Sequence, residues 1–453
     1  MLKKSFKGAI ALSLMLVPLS AFSQWGGMGM NMNRDSLNKV AEADYANMME
    51  QLGIKEMKPG RNPNTTDVTQ HPNYDELIGN PYCIYPELLV TNSGKQVKNA
   101  KMWNKIRRPE LVKTFEEEIY GCIPENVPSV DWQVTDEQKA KLGNTDVVVR
   151  TLKGVVDNSS YPESSVNVQA NGIYPDNGAK NMPVVVEFGF ASGLPRAFGN
   201  SIPWQQMVVE RGWAAATIVP GSIQADAGYG LTSGIIGLCN KGEFRKPTDW
   251  GSLRAWGWGA SKLIDYFETD NTFDATKVAI EGVSRYGKAA LVAMAFDERI
   301  AAGFICSSGK AGAAGWRRDL GESTGNITSP GEYHWMAGNF LKYGAVGMTD
   351  NDIPVDQHQL IALCAPRACF ISGGRHDADK WQDIVGMFMS ASKASPAWEI
   401  LGAEGLPTDV LPLMNEGLLD GDLVYRQHDG GHEAGPNWPY FLDFFARTVV
   451  NSK

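Results

Sequence analysis

Nowhere does the chain run through the roughly 20 consecutive apolar side chains that a membrane-spanning helix needs. Basic charge is scarce as well. Lys and Arg number 42 against 51 Asp and Glu, a net charge of −9, and no dense basic cluster lies outside the extreme N-terminus, so no nucleic-acid partner is expected. Cysteine is limited to Cys83, Cys122, Cys239, Cys306, Cys364 and Cys369, and none of these forms a C-x-x-C pair. No internal repeat is visible. Histidine is equally sparse, so a general base has to be sought among His71, His334, His358, His376, His428 and His432.

What is present is ordinary globular composition, 43% hydrophobic and 21% charged, on a chain long enough for a large core. The opening MLKKSFKGAIALSLMLVPLSAFSQ sets Lys3, Lys4 and Lys7 before an apolar run of about a dozen residues, then small residues at Ala21 and Ser23. Residues 1–23 therefore read as a secretory signal peptide, and the mature protein is expected in the periplasm or the medium, free of the membrane. No cysteine closes this segment, so a lipid anchor is not indicated. Export permits disulfides, with Cys83 and Cys122 as the candidate bridge; Cys306, Cys364 and Cys369 lie in apolar runs and read as buried thiols. Residues 24–84, rich in Gly, Met, Asn and turn formers, read as a flexible or surface-wrapping leader, and residues 85–453 as one catalytic-sized domain.

Within that domain, strand-like runs such as DVVVRTLKGVV, SSVNVQANGIY, MPVVVEFGF, GWAAATIVPG, KVAIEG, AAGFICSSG, RACFISGG and LVYRQHDGG are separated by helical ones. The helical runs include WQQMVVERG, LRAWGWGASKLIDYFET and the terminal WPYFLDFFARTVV. The alternation predicts an α/β fold, a doubly wound and mostly parallel sheet sandwiched by helices.

One stretch stands out chemically. In KVAIEGVSRYGKAALVAMAFDE, a strand stops at a turn holding Gly282, and helix formers begin just after Ser284. A tight strand-to-helix turn lifts a serine Oγ above the sheet and turns helix N-terminal N–H groups toward a developing oxyanion, as acyl transfer requires. The pattern departs from G-x-S-x-G, since Tyr286 stands at the second position after Ser284 and the glycine follows at Gly287. Ser284 also fits a plain helix cap. A serine nucleophile needs a base steadied by a carboxylate. In HDGGHEAGP, His432 follows a strand-like run and precedes the last helix, in the chain order Ser, acid, His; His428 is the weaker choice, His71 lies in the leader, and His334 and His358 read as easily as structural residues. For the acid, ACFISGGRHDADKWQDI offers Asp377, Asp379 and Asp383, whereas the loop after AAGFIC offers only Ser307 and Ser308.

With these residues in place, the chain resembles the glucuronoyl esterases of carbohydrate esterase family 15. The family signature G-C-S-R-x-G-K stands here as Gly282-Val283-Ser284-Arg285-Tyr286-Gly287-Lys288, supported by DERIAAGF, GWRRDLGE, GEYHWMAGNF and the DKWQD loop. The resemblance implies an α/β-hydrolase fold and a serine esterase that needs no metal or organic cofactor. It makes Ser284 the nucleophile, His432 the base and Arg285 an oxyanion donor. It places Lys288, Glu332 and Trp381 at the uronic acid ring. The signature cysteine is Val283, so a disulfide of some fungal members is absent, and their acid position aligns with Ser307. The D-x-W pattern of bacterial members matches Asp379-Lys380-Trp381, which favours Asp379 over Asp377 as the acid. The fungal sugar-binding glutamine has no obvious counterpart; Glu322 is the nearest candidate.

The expected reaction is hydrolysis of esters of (4-O-methyl-)glucuronic acid, as in lignin-carbohydrate linkages to glucuronoxylan, by a monomer. An acetylxylan or other carbohydrate acyl esterase would use the same residues with the sugar on the alcohol side. A non-catalytic carbohydrate-binding relative is the alternative of another kind.

Overall fold

The computed structural model describes residues 34–82, 84–190, 193–195 and 202–452. The expected signal peptide and Cys83 lie outside the described residues, while Cys122, Cys239, Cys306, Cys364 and Cys369 carry free thiols.

The sheet is built from β1 (Val130–Leu142), β2 (Thr145–Val156), β3 (Asn167–Pro175), β4 (Met182–Phe188), β5 (Ala214–Ile218), β6 (Phe273–Val283), β7 (Ile300–Cys306), β8 (Ala368–Gly373), β9 (Gly417–Leu418) and β10 (Leu423–Gln427). Their order is β1-β2-β3-β5-β4-β6-β7-β8-β10-β9. From β5 to β10 neighbouring strands run parallel. The hairpin β1–β2, the pairs β2–β3 and β3–β5, and the short β9 are antiparallel. The result is a mixed, mostly parallel α/β sheet with helices on both faces.

The central strands read as unbroken apolar runs because each face of the sheet is covered. In β4, Val184 and Val186 join the core on one face, under the helices Ser252–Thr269 and Arg285–Phe296, while Val185 joins the core on the other. That second face is closed by the helices Trp204–Val209 and Trp438–Phe445. Aromatic rings fill it: Trp204 stacks on Trp438 at 4.7 Å between centroids, and Phe304 lies 4.8 Å from Phe441, 5.1 Å from Trp438 and 5.2 Å from Phe370.

β1 was not among the expected strands. Its sequence VDWQVTDEQKAKL carries charges on both sides because most of its side chains stand in solvent at the sheet edge, so no apolar period marks it. Its pairing with β2 continues from Val130 opposite Val156 to Leu142 opposite Thr145. Charge along such an edge also discourages pairing with another chain.

Ahead of residue 85, the helix Arg34–Leu52 packs Met48 into the main core and buries Asp44, both only 1% exposed. Tyr333 donates to Asp44 Oδ2 at 2.8 Å, and Tyr45 donates to the Thr328 carbonyl at 2.8 Å. Further on, Arg61 pairs with Asp319 at 2.6 Å and Glu76 with Arg318 at 2.9 Å. The segment thus rests on the loops that follow β7. Among the described residues no helix is long and apolar enough to cross a membrane.

Phe304→Ala should cost about 3–5 kcal/mol of stability, because its ring is wholly buried among Phe370 of the neighbouring strand and Trp438 and Phe441 of the covering helix. Denaturant unfolding of the purified variant measures this; a loss under about 1 kcal/mol would mean that the layer collapses into the gap.

Candidate active site

Strand β6 ends at Val283 and the next helix begins at Arg285, leaving Ser284 alone in the turn with φ 62° and ψ −129°. A residue with a side chain rarely adopts this backbone, and it costs of order 1–3 kcal/mol. The flanking glycines explain how it is held. A Cβ on Gly282 would lie 2.2 Å from the Tyr286 carbonyl oxygen, and one on Gly287 would lie 2.6 Å from that of Cys306. The turn therefore closes only with glycine at both places, which accounts for the spacing of the motif. Ser284 N–H donates to the Cys306 carbonyl at 3.1 Å, and Lys288 N–H returns to Ser284 at 3.0 Å. The hydroxyl makes no hydrogen bond among the described residues.

The parallel strands bring the partners to the same edge of the sheet. β8 leads into the loop that carries Asp379, and β10 into the loop that carries His432. His432 Nδ1 lies 2.8 Å from Asp379 Oδ1, with the imidazole 41% exposed and the carboxylate 3% exposed. Nδ1 is thereby the donor, which leaves Nε2 as the nitrogen available to a hydroxyl. Ser307 Oγ donates to Asp379 Oδ2 at 2.5 Å, and Gly374 N–H approaches the same oxygen at 3.4 Å. Both carboxylate oxygens are thus engaged.

Asp377 does not join this group. It is exposed and pairs with Arg375 at 2.5 Å, because it points outward from the loop two residues before the chain turns inward. Asp383 is buried in an ion pair with Arg318 and caps the helix Ile384–Ile400. His428 is also structural. It is fully buried, donates through Nε2 to the Glu433 carbonyl at 2.9 Å and accepts from Gly430 N–H at 3.0 Å, which braces the loop around His432.

Beside the serine, Arg285 Nη1 donates to Asp226 at 2.5 Å, and the Arg285 guanidinium side chain is 40% exposed. Lys288, one turn along, is buried and spends its three N–H bonds on the Ser308 carbonyl at 2.9 Å, the Lys310 carbonyl at 2.6 Å and Glu322 at 2.7 Å. A sugar hydroxyl reaching this ammonium has to share or replace one of these. Glu322 N–H in turn donates to the Trp381 carbonyl at 2.9 Å, so the loops carrying Glu322 and Asp379 are tied together. Trp381 itself is half-buried. Glu332 completes the floor, and its Oε2 is buried without a partner among the described residues. Burial, reinforced by the negative charge of Glu322, pushes its carboxyl up to about 8 against the pull of Lys288 and Arg285. No residue pattern flagged Asp226, and none gave Ser307 or His334 the partner it has here, since each of these contacts joins residues far apart in sequence.

A model of the family described as glucuronyl esterase, fungi, matches residues 158–402. In structure, the chain is similar to a CE15 glucuronoyl esterase from Teredinibacter turnerae T7901, with 41% identity and a TM-score of 0.84 over 90% of this chain and 99% of that one. The chain belongs to the CE15 glucuronoyl esterases. This esterase also shares 30% identity and a TM-score of 0.72 with the glucuronoyl esterase from Solibacter usitatus, over 82% of this chain and 99% of that one. A 4-O-methyl-glucuronoyl methylesterase of Hypocrea jecorina is 30% identical over 52% of this chain and 48% of its own. The esterase is a carboxylic ester hydrolase of the glucuronoyl esterase type.

The raised carboxyl of Glu332 has a consequence for stability. Between its ordinary value of 4.5 and about 8 the native state keeps a proton that the unfolded chain releases, so this group lowers stability as pH rises through that window. In the esterase, Glu332→Gln should flatten the fall in thermal midpoint between pH 5 and pH 8, a range set by these values. An unchanged slope would show that Glu332 is ionised throughout.

Proposed function

We propose that the esterase cleaves esters of (4-O-methyl-)glucuronic acid, such as those joining glucuronoxylan to lignin alcohols, through Ser284, His432 and Asp379. The observation that carries this reading is the buried Asp379 carboxylate holding His432 Nδ1 at 2.8 Å, on the sheet edge where the strained turn presents Ser284. His432 Nε2 takes the Ser284 proton as Oγ attacks the uronoyl carbonyl. The resulting oxyanion meets the Arg285 backbone N–H at the helix N-terminus and the Arg285 guanidinium, both suited to a localised negative charge. His432 then protonates the leaving alcohol. Water, activated by the same imidazole, attacks the acyl-enzyme and releases free uronate.

Asp379 fixes the tautomer and orientation of His432 and balances the imidazolium that forms. The sugar side is supported by Lys288, Glu322, Glu332 and Trp381, read here as one wall: Lys288 pairs with Glu322 at 2.7 Å, and Glu322 N–H donates to the Trp381 carbonyl at 2.9 Å. The unpartnered Glu332 Oε2 suits a ring hydroxyl. A uronate ester places its ring on the acyl side, against this wall, whereas an acetyl ester places nothing there. The Hypocrea jecorina relative bears the name of the same substrate class. The charged and apolar leader supports action outside the cytoplasm.

The test is hydrolysis of benzyl glucuronate beside an acetylated sugar. Wild type should cleave the uronate, Ser284→Ala neither, and Asp379→Asn should lose about 10⁴ in kcat, as removing the orienting carboxylate does in a serine protease. Asp377→Asn should keep wild-type turnover. Cleavage of the acetyl ester alone would move the sugar to the alcohol side, and no turnover by folded wild type would favour a binding role.

A further inference from the structure

We infer that Asp226 is a positioning residue for the reaction, holding the Arg285 guanidinium beside Ser284 and coupling it to the loop that carries Glu332. The inference rests on the reading of Arg285 as an oxyanion donor.

Asp226 lies in the segment that follows β5, far from the elbow in sequence. Its Oδ2 accepts from Arg285 Nη1 at 2.5 Å, while its Oδ1 accepts from His334 Nε2 at 2.9 Å and from Trp335 Nε1 at 2.7 Å. Donors from the first turn of the helix Arg285–Phe296 and from the turn Tyr333–Trp335 thus fix the carboxylate, so it is a rigid anchor rather than a mobile counter-ion. Burial acts to raise its pKa, but the His334 hydrogen bond, the Arg285 guanidinium and the Trp335 N–H outweigh burial and hold it well below the usual range. It stays an anion across the working pH. The segment behind it is braced as well: Gln224, fully buried, donates to the Gly230 carbonyl at 2.6 Å and accepts from Ile236 N–H at 3.1 Å, and its own carbonyl accepts from Trp256 Nε1 at 2.9 Å.

An arginine with its side chain 40% exposed would otherwise sample many rotamers. Only one of its five N–H groups is committed to Asp226, so the others remain for an oxyanion. Orientation before substrate arrives is what an oxyanion donor needs, since reorganisation during the reaction would subtract from its effect. The same carboxylate grips His334 and Trp335, two and three residues after Glu332, and the intervening Tyr333 is held by Asp44 of the N-terminal helix. A ring seated against Glu332 therefore settles the loop that fixes Arg285.

Steady-state kinetics on benzyl glucuronate with Asp226→Asn, Arg285→Ala and the double variant tests this. Asp226→Asn should lower kcat by about ten- to a hundredfold with KM changed less than about threefold, and the double variant should be no slower than Arg285→Ala. Trp335→Phe and His334→Gln, each with and without Arg285→Ala, carry the same test if Asp226→Asn does not fold: their loss of kcat should vanish when Arg285 is already gone. A loss that persists in the Arg285→Ala background, or one confined to KM, would overturn the inference and leave Asp226 a structural or sugar-side residue. Wild-type kcat in Arg285→Ala would instead remove the oxyanion reading itself, and this inference with it.

Discussion

Everything at this site depends on one strained residue. Ser284 sits at φ 62° and ψ −129° between a strand and a helix, and the surrounding structure has to make that geometry the only one available. Gly282 and Gly287 admit the neighbouring carbonyls at distances no side chain would tolerate, and the hydrogen bond to the Cys306 carbonyl ties the turn to the adjacent strand. The strand before the turn is fixed on both sides by parallel partners, and the helix after it is packed over the sheet. Strain is retained because relaxing it would unseat a buried helix.

The parallel sheet then does the placing. Successive parallel strands end at the same edge, so loops that leave β6, β8 and β10 meet although about 150 residues separate Ser284 from His432. Between them stands β7, which contributes no acid. The residue after its end is Ser307, whose hydroxyl donates to Asp379 and so completes the carboxylate's hydrogen bonding.

The floor beside the serine alternates in charge. Asp226, Arg285, Glu332, Lys288 and Glu322 are buried or half-buried, and each ion has an opposite partner except Glu332. A buried carboxyl without a partner tends to take up a proton, and here that proton makes a hydrogen-bond donor beside the expected sugar ring. Below the elbow, burial likewise pushes up Glu187 on β4 and Glu281 opposite it on β6, and the charge of Glu187 raises Glu281 further. The site thus holds its formal charges where hydrogen bonds fix them and neutralises the remainder.

The central strands, the elbow and His432 could be read from the chain because their signals are local: apolar runs of strand length, a serine between glycines, a histidine after a strand. β1 could not, since an edge strand in solvent has no apolar face to set a period. The helix Arg34–Leu52 was hidden in Gly-, Met- and Asn-rich surroundings, and what anchors it is the distant pair Tyr333 and Asp44. By itself the sequence determined the α/β alternation, the strand-to-helix turn at Ser284 and the short list of candidate acids and bases, because backbone propensity and residue chemistry act over a few neighbours. Only the tertiary structure put Asp379 rather than Asp377 against His432, gave Ser307 a partner and set Asp226 against Arg285, because each is a contact between segments that only the folded sheet brings together.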